Sequence, residues 1–395
     1  MREGARGACD RHSGLLAFGA PRGTPGRAVP SCMRCPSMFV RPRVSALLLA
    51  STLAACSGGK TREDALLFRL TDPVGDDHGD GELLYPRRND LGRGDLDVVS
   101  VAAFADGEAT RFEVTFAHPI ARPSRAQSVD LEGATIAERA RHGFYTFNVD
   151  LYVDQDRVPG SGRTDTLPGR GLTLAPDSGW EKAVVLTPRP YEAREALRKT
   201  WRQAALDAYE KKTGGIGGKV EAELNAATEQ ELEARVFFPT LIQVSGRTVV
   251  FQVPDRFLGG HASADWGYGV AVTGATLERR VALGGMFGGD TNANPRLMAM
   301  GIVPGEPPSA DRFGGGRKGD PSQSPVVDLL VAQGTTQEEV LGPTKPAWSA
   351  VVPSGKAVAA PEAGTVEDAG VPVDVPDAGT GVEDAGVVGP SSPAP

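Results

Sequence analysis

Hydrophobic and polar residues alternate with a period of two along much of the chain between residues 64 and 332. The segment 145–154, YTFNVDLYVD, is the clearest example. In an extended strand its Phe147, Val149 and Leu151 fall on one side, and the residues between them, most of which are polar, fall on the other. About nine such runs, most of them bounded by glycine or proline, occur without a regular alternation of strands and helices. This pattern predicts an all-β protein built as an antiparallel β-sandwich.

One stretch, 191–235, breaks the pattern because it is rich in Ala, Glu, Lys, Leu and Gln. It predicts two helices, over 192–212 and 219–235, joined by the sequence TGGIGGK. The glycines there suggest a phosphate-binding loop, but Thr213 stands where the first glycine is needed and Val220 where Ser or Thr is needed. We therefore expect a helical hairpin inserted between strands, without a nucleotide site.

The sequence before the strands predicts an export signal. Arg41 and Arg43 precede an uncharged stretch that ends in Leu-Ala-Ala-Cys at Cys56. This resembles a bacterial lipoprotein signal, which implies a signal peptide over 38–55 and acylation of Cys56. An ordinary secretory signal with an incidental cysteine is the alternative. Ser57 resembles the outer-membrane sorting type, so we expect the protein on the outer membrane of a Gram-negative cell envelope.

The remaining boundaries follow from composition. Residues 1–37 are rich in Arg and Gly without an apolar period, and we expect them to be a mis-annotated extension of the gene model. Residues 56–63 form a linker, and the sandwich is predicted over 64–345. The acidic, Pro/Ala/Gly-rich segment 346–395 contains the sequence VEDAG twice and predicts a disordered tail.

Charge and cysteine usage exclude several classes of protein. The formal net charge is −8, and the first 55 residues carry eight arginines and only two acidic residues, so the rest of the chain is more acidic still. Such a chain repels phosphate backbones, which disfavours nucleic acid as a partner. The four cysteines are Cys9, Cys32, Cys35 and Cys56, so the predicted sandwich contains no disulfide. No GxSxG or HExxH motif is present, and we expect no enzymatic activity; a glycosidase is the alternative that acidic pairs leave open.

Several motifs within the strand region occur in the same order as in a known protein family. They are DPVGDDHGDGELLYP, GDLDVVSV, GFYTFNVDLYVDQDRVPGSGRTDTLPGRG, DWGYGVAVTGA and FGGGRKGD followed by VVDLLVAQGTTQEEVL. Together they resemble the C-terminal module of bacterial glucodextranases, a DOMON-like sandwich similar to family-9 carbohydrate-binding modules. The resemblance runs from about Asp72 to Leu341. It implies a jelly-roll-like sandwich used for glycan binding or cell-surface attachment, with calcium in some relatives.

Two acidic loops are candidate metal sites, because calcium takes six to eight oxygen ligands, commonly from carboxylates and carbonyls on flexible loops. The candidate ligands are Asp72, Asp76, Asp77, Asp154 and Asp156. If the two loops converge on one ion, that ion compensates the repulsion between them. The alternative is that each aspartate forms a turn for backbone reasons alone.

Four residues are candidates for sugar binding. Asn148 and Tyr152 share the polar face of the predicted strand over 145–154, while Trp266 and Tyr268 stand two positions apart and would share a face of another strand. Flat aromatic rings beside polar groups are typical of glycan sites. The alternative for each ring is packing in the core.

The sequence therefore predicts a lipid-anchored module of the cell envelope that binds a polysaccharide or cell-wall glycan noncovalently, supported by calcium. A structural envelope lipoprotein that contacts other proteins and binds no sugar is the second hypothesis.

Overall fold

The structure is a computed structural model that describes residues 65–125, 135–275, 298–320, 322–344 and 346–356. The predicted extension, signal peptide, lipid-bearing Cys56 and linker lie outside these residues, as does the chain after residue 356.

Thirteen strands and five helices form within the described residues. The strands are β1 (Leu66–Thr71), β2 (Leu83–Leu84), β3 (Val98–Asp106), β4 (Ala109–Phe116), β5 (Phe147–Asp154), β6 (Lys182–Leu186), β7 (Val236–Phe237), β8 (Ile242–Ser245), β9 (Thr248–Pro254), β10 (Gly267–Gly274), β11 (Gly301–Ile302), β12 (Arg312–Gly315) and β13 (Val326–Leu329). The helices are α1 (Ile136–Arg139), α2 (Pro190–Thr213), α3 (Gly218–Arg235), α4 (Asp255–Leu258) and α5 (Gln337–Leu341).

Two five-stranded sheets face each other. The first has the order β1-β3-β4-β9-β8 and the second the order β13-β10-β5-β6-β7, while β11, β12 and β2 form a small third sheet. The apolar sides of both large sheets meet in one core, to which Phe112 of β4, Phe251 of β9 and Val149 of β5 contribute. The predicted all-β sandwich is confirmed, although β6 with β7 and β11 with β12 pair in parallel.

Glycine sets the register of the two tight hairpins in the first sheet. Strands β3 and β4 are joined by Gly107 and Glu108, and β8 and β9 by Gly246 and Arg247. Gly107 has φ of 63° and Gly246 has φ of 60°, a region that side chains disfavour. A glycine at the first position of a two-residue loop produces the turn whose twist matches that of the strands, so both hairpins follow from local sequence.

The inserted helical hairpin is confirmed as α2 and α3, between β6 and β7. Pro190 occupies the first turn of α2, and Gly214 ends the helix with φ of 80° while its N–H donates to the carbonyl of Glu210. The hairpin serves as the crossover that brings β7 parallel to β6. None of the helices in the described segments combines the length and apolar character needed to cross a lipid bilayer.

Both faces of the second sheet are covered, which the alternating pattern did not predict. All eight residues of β5 are buried. One face belongs to the core between the sheets, and the other packs against a second apolar cluster from the loop after β5, from α2, α3 and α5, and from Trp348. The polar side of the predicted strand is therefore an interior surface.

Part of the segment that the sequence assigned to the C-terminal tail packs on the second sheet. Residues 346–356, assigned from sequence to the tail, pack on the second sheet, and Trp348 is 1% exposed. The Trp348 N–H donates to the carbonyl of Thr173 at 2.8 Å, and the N–H groups of Tyr268 and Val351 each donate to the other residue's carbonyl. Residues 348–351 thus extend the edge of the second sheet, within the segment that the sequence assigned to the tail from residue 346.

Candidate functional site

The acidic loop after β1 connects the first sheet to the second. It begins at Asp72, whose N–H donates to the carbonyl of Val99, and it reaches β13 through Gly79, whose N–H donates to the carbonyl of Val327 at 2.8 Å. A Cβ at Gly79 would lie 3.1 Å from the Val326 carbonyl, and φ there is 62°. The glycine therefore allows the close approach that places the loop against β13.

Three carboxylates meet beside this contact. One oxygen from each of Asp72, Asp76 and Asp328 lies within 4.8 Å of the others. Asp72 follows β1, Asp76 lies in the loop, and Asp328 projects from β13. The Oδ2 of Asp328 also accepts a hydrogen bond from the N–H of Val98 at 2.6 Å, which links the two sheets.

Burial and like charge disfavour ionisation of this group. Burial, with the charges of Asp76 and Asp97, raises the pKa of Asp72 to about 8. Burial is also the main reason why the pKa of Asp97 rises to about 6 and that of Asp328 rises well above its usual value. Four carboxyl groups are thus held together in a setting that opposes four negative charges.

The neighbouring aspartates of the loop have other roles. The Oδ2 of Asp77 accepts hydrogen bonds from the Tyr85 hydroxyl and from the N–H of Gly94. Asp80 is held by Arg317 and by Gln323. Asp77, predicted as a metal ligand, is therefore a structural acceptor that fixes the following loop, and it does not belong to the carboxylate group.

The second predicted acidic loop forms a separate group with Glu181. Asp154, Asp156 and Glu181 present oxygens within 4.8 Å of one another, and burial is the main reason why the pKa of Asp154 rises to about 6. Their oxygens are engaged locally: Asp154 accepts from the N–H of Arg157, Asp156 from that of Val158, and Glu181 from that of Gln155. This group resembles a hydrogen-bonded turn.

The two acidic groups lie at opposite ends of β10. Asp328 pairs with Val272, whereas Asp154 pairs with Gly267, five residues away along the strand. At about 3.3 Å per residue the two positions are about 17 Å apart. The expectation that Asp72, Asp76 and Asp77 meet Asp154 and Asp156 at one ion is therefore wrong.

Three of the four predicted sugar-binding residues are buried. Tyr152 is 1% exposed, its ring lies against Trp180 and Trp348, and its hydroxyl accepts from the N–H of Leu167 at 3.0 Å. Tyr268 lies in the core between the sheets with its ring centroid 4.5 Å from that of Phe68.

Asn148 is also buried, and its side-chain amide donates to the hydroxyl of Thr273 and to the carbonyl of Gly274. Asn148, Tyr152 and Tyr268 therefore cannot form the predicted sugar platform, because both faces of their sheet are covered. Trp266 precedes β10 and is half-buried against the core between the sheets.

A protein-family comparison agrees with this architecture. The family described as the C-terminal binding module, SLH-like, of glucodextranase matches residues 67–353 of the chain. The chain belongs to this family. The matched segment of the glucodextranase C-terminal module includes Trp348, which supports placing residues 346–353 within the domain. No curated protein matches the chain.

Three carboxylates of the acidic groups in this glucodextranase-type module were not predicted from the sequence: Asp97, Asp328 and Glu181. Asp328 carried a usable signal, because it interrupts the apolar run VVDLLVA, where a charge is costly unless it has a role. Asp97 and Glu181 stand at the starts of strands, where acidic residues are common, and nothing in the sequence distinguishes them.

Proposed function

We propose that the chain is a noncatalytic module of the cell envelope that is anchored by a lipid at Cys56 and binds a polysaccharide or cell-wall glycan. The observation that carries this proposal is the match of residues 67–353 to a binding module of glucodextranase. The signal-like sequence that ends at Cys56 supports the anchor and the outer-membrane location. A bound calcium ion supports the fold in this proposal.

In this proposal the glycan contacts an aromatic residue that lies outside the covered faces of the second sheet. Trp266 is the predicted sugar-binding residue that keeps some exposure, and it lies beside Asp265 at the start of β10. Sugars stack on flat apolar rings that have polar groups at their edges. Trp266 with its polar neighbours is therefore our candidate contact.

Binding is tested by retention on insoluble polymers. The full chain, extracted in detergent, is mixed with insoluble glucans and with peptidoglycan, and bound protein is eluted with soluble oligosaccharides of the same polymer. Retention that the oligosaccharide reverses is the expected result. Trp266→Ala should reduce retention, whereas Tyr191→Ala, which removes a 73% exposed aromatic ring on α2, should not. Passage of the chain through all polymers would refute glycan binding.

The anchor is tested separately. Cys56→Ala should move the protein from the detergent-soluble membrane fraction to the aqueous fraction and abolish incorporation of labelled fatty acid. Unchanged labelling would show that Cys56 is not the acylated residue.

A structural envelope protein is the second candidate, and the helical hairpin favours it. Buried residues of α2 are confined to its first two turns, Pro190 to Leu197, and those of α3 are Thr228 and Leu232 near its end. The remainder of each helix is at least partly exposed, a form suited to contact with another protein. A negative glycan array, together with crosslinks that depend on residues 201–224, would favour this candidate over the first.

A further inference from the structure

The carboxylates between β1 and β13 form a group that the protein itself does not satisfy. Both oxygens of Asp72 and one oxygen, Oδ1, of each of Asp76, Asp97 and Asp328 are buried and accept no hydrogen bond from the described protein. Asp328 and Asp97 are each 1% exposed. Buried polar atoms are nearly always paired, so five such oxygens in one place require an explanation.

Positively charged side chains do not pair with these five oxygens. Among the ion pairs within the described segments, none involves Asp72, Asp76, Asp97 or Asp328. The basic groups whose charge acts on them are the imidazoles of His78 and His118, which form their ion pairs with Glu338 and Asp95 instead. Asp80 of the same loop differs from these four carboxylates, because it forms an ion pair with Arg317.

The spacing fits a large divalent cation. Calcium binds oxygen at about 2.3–2.6 Å, so two ligands on opposite sides of the ion lie about 4.8 Å apart and other pairs lie closer. The oxygens of Asp72, Asp76 and Asp328 lie within 4.8 Å of one another. The loop that carries Asp72 and Asp76 contains glycines, which suits the irregular coordination of calcium.

We propose that Asp72, Asp76 and Asp328, with Asp97 beside them, bind one divalent cation of the calcium class. The ion joins the loop after the first strand to the last strand of the second sheet. This names the ligands for the cation support in the proposed function and does not depend on whether the module binds glycan. The group formed by Asp154, Asp156 and Glu181 is not proposed as the main site, because none of its oxygens is among the buried atoms of the described residues that lack a hydrogen-bond partner, whereas five oxygens of the first group are.

Calorimetric titration and thermal melting of the full chain test the proposal, with calcium chloride, magnesium chloride and EDTA as the conditions. We expect one calcium per chain, weaker binding of magnesium, and a melting temperature that is higher in calcium than in EDTA. Asp72→Asn should weaken calcium binding by about tenfold or more, because ligand charge sets the affinity. Since both Asp72 oxygens accept no protein hydrogen bond, this variant should still fold.

Asp328→Asn gives a second test that separates ion binding from folding. The asparagine oxygen can still accept from Val98, so the variant should melt in EDTA at or above the temperature of the unchanged chain, yet lose the calcium shift. Asp154→Asn is the matched control, a buried carboxylate in the other group, and should keep the shift. The proposal is overturned if calcium gives no heat and no shift, or if the shift survives Asp328→Asn and disappears in Asp154→Asn. A chain that binds calcium but no glycan would refute the glycan proposal alone.

Discussion

Replacing Trp348 tests whether the end of the domain lies where the structure puts it. Trp348 is 1% exposed, its ring meets that of Tyr152 edge-on at a centroid distance of 6.0 Å, and its indole N–H donates to the carbonyl of Leu330 at 3.0 Å. Removing a buried tryptophan side chain costs about 3–5 kcal/mol of unfolding free energy. The unpaired Leu330 carbonyl adds about 1 kcal/mol or more if water cannot reach it. We therefore expect Trp348→Ala to lose at least about 4 kcal/mol.

Urea unfolding followed by far-ultraviolet circular dichroism measures this loss without relying on the fluorescence of the deleted residue. Truncation after Thr344 should be at least as destabilising as Trp348→Ala, because it also removes the strand-like pairing of Val351 with Tyr268. Truncation after Lys356 is the matched control and should change the unfolding free energy by less than about 0.5 kcal/mol. If both truncations cost the same, or if Trp348→Ala costs under about 1 kcal/mol, residues 346–356 do not belong to the domain.

A glycine opposite Trp348 gives an internal check on the same packing. A Cβ at Gly269 would lie 2.8 Å from the indole carbon Cη2 of Trp348. Gly269→Ala should therefore destabilise the unchanged chain, and it should cost much less when Trp348 is already alanine, because contacting residues are not additive. Additive losses would mean that the indole does not pack on β10.

Two further predictions concern buried charge. Arg170→Ala should cost about 3–5 kcal/mol in urea unfolding, because it leaves Asp150 buried without its partner, and adding Asp150→Ala should recover part of that loss. In EDTA, the unfolding free energy should fall as pH rises from about 4 towards 8. The reason is that the pKa of Asp72 is about 8 in the folded chain against 3.8 as its ordinary value, so the folded state favours the neutral acid and loses that advantage as pH passes the folded pKa. Calcium should flatten this dependence, and stability that instead rises over this interval would contradict the assignment of the pKa.

The sandwich and the helical hairpin were predictable because both follow from local sequence. Alternation along β5 and the turn glycines Gly107 and Gly246 identify strands and hairpins without knowledge of distant contacts. Alternation shows that the two faces of a strand differ in chemistry, but it does not show which face meets water. On β5 the polar face is interior, because Arg170 pairs with Asp150 and the N–H of Leu167 donates to Tyr152. Those partners lie in a loop whose path the sequence does not indicate.

Contacts between residues distant in the sequence also explain why the composition of the acidic groups was not predicted. Sequence proximity selected Asp72, Asp76 and Asp77 together, yet Asp77 fixes its own loop through Tyr85 and Gly94. The carboxylate that completes the group is Asp328, 256 positions after Asp72, and it arrives only because β13 closes the second sheet beside the first. Long-range pairing of this kind is decided by the packing of whole sheets.

The carboxylates lie where the loop after β1 meets β13, and this position affects the stability of the fold. Without an ion, the contact between the loop after β1 and β13, the strand at the edge of its sheet, opposes ionisation of Asp72 and Asp328, so the folded chain favours their neutral acids. An ion that binds only the folded chain stabilises it by about 2.7 kcal/mol at a concentration of 100 times its dissociation constant. The folded chain would thus gain its full stability only in a calcium-containing medium. Since the ligands come from both ends of the domain, binding requires that the first and last strands are already in place, which couples the ion to the complete fold.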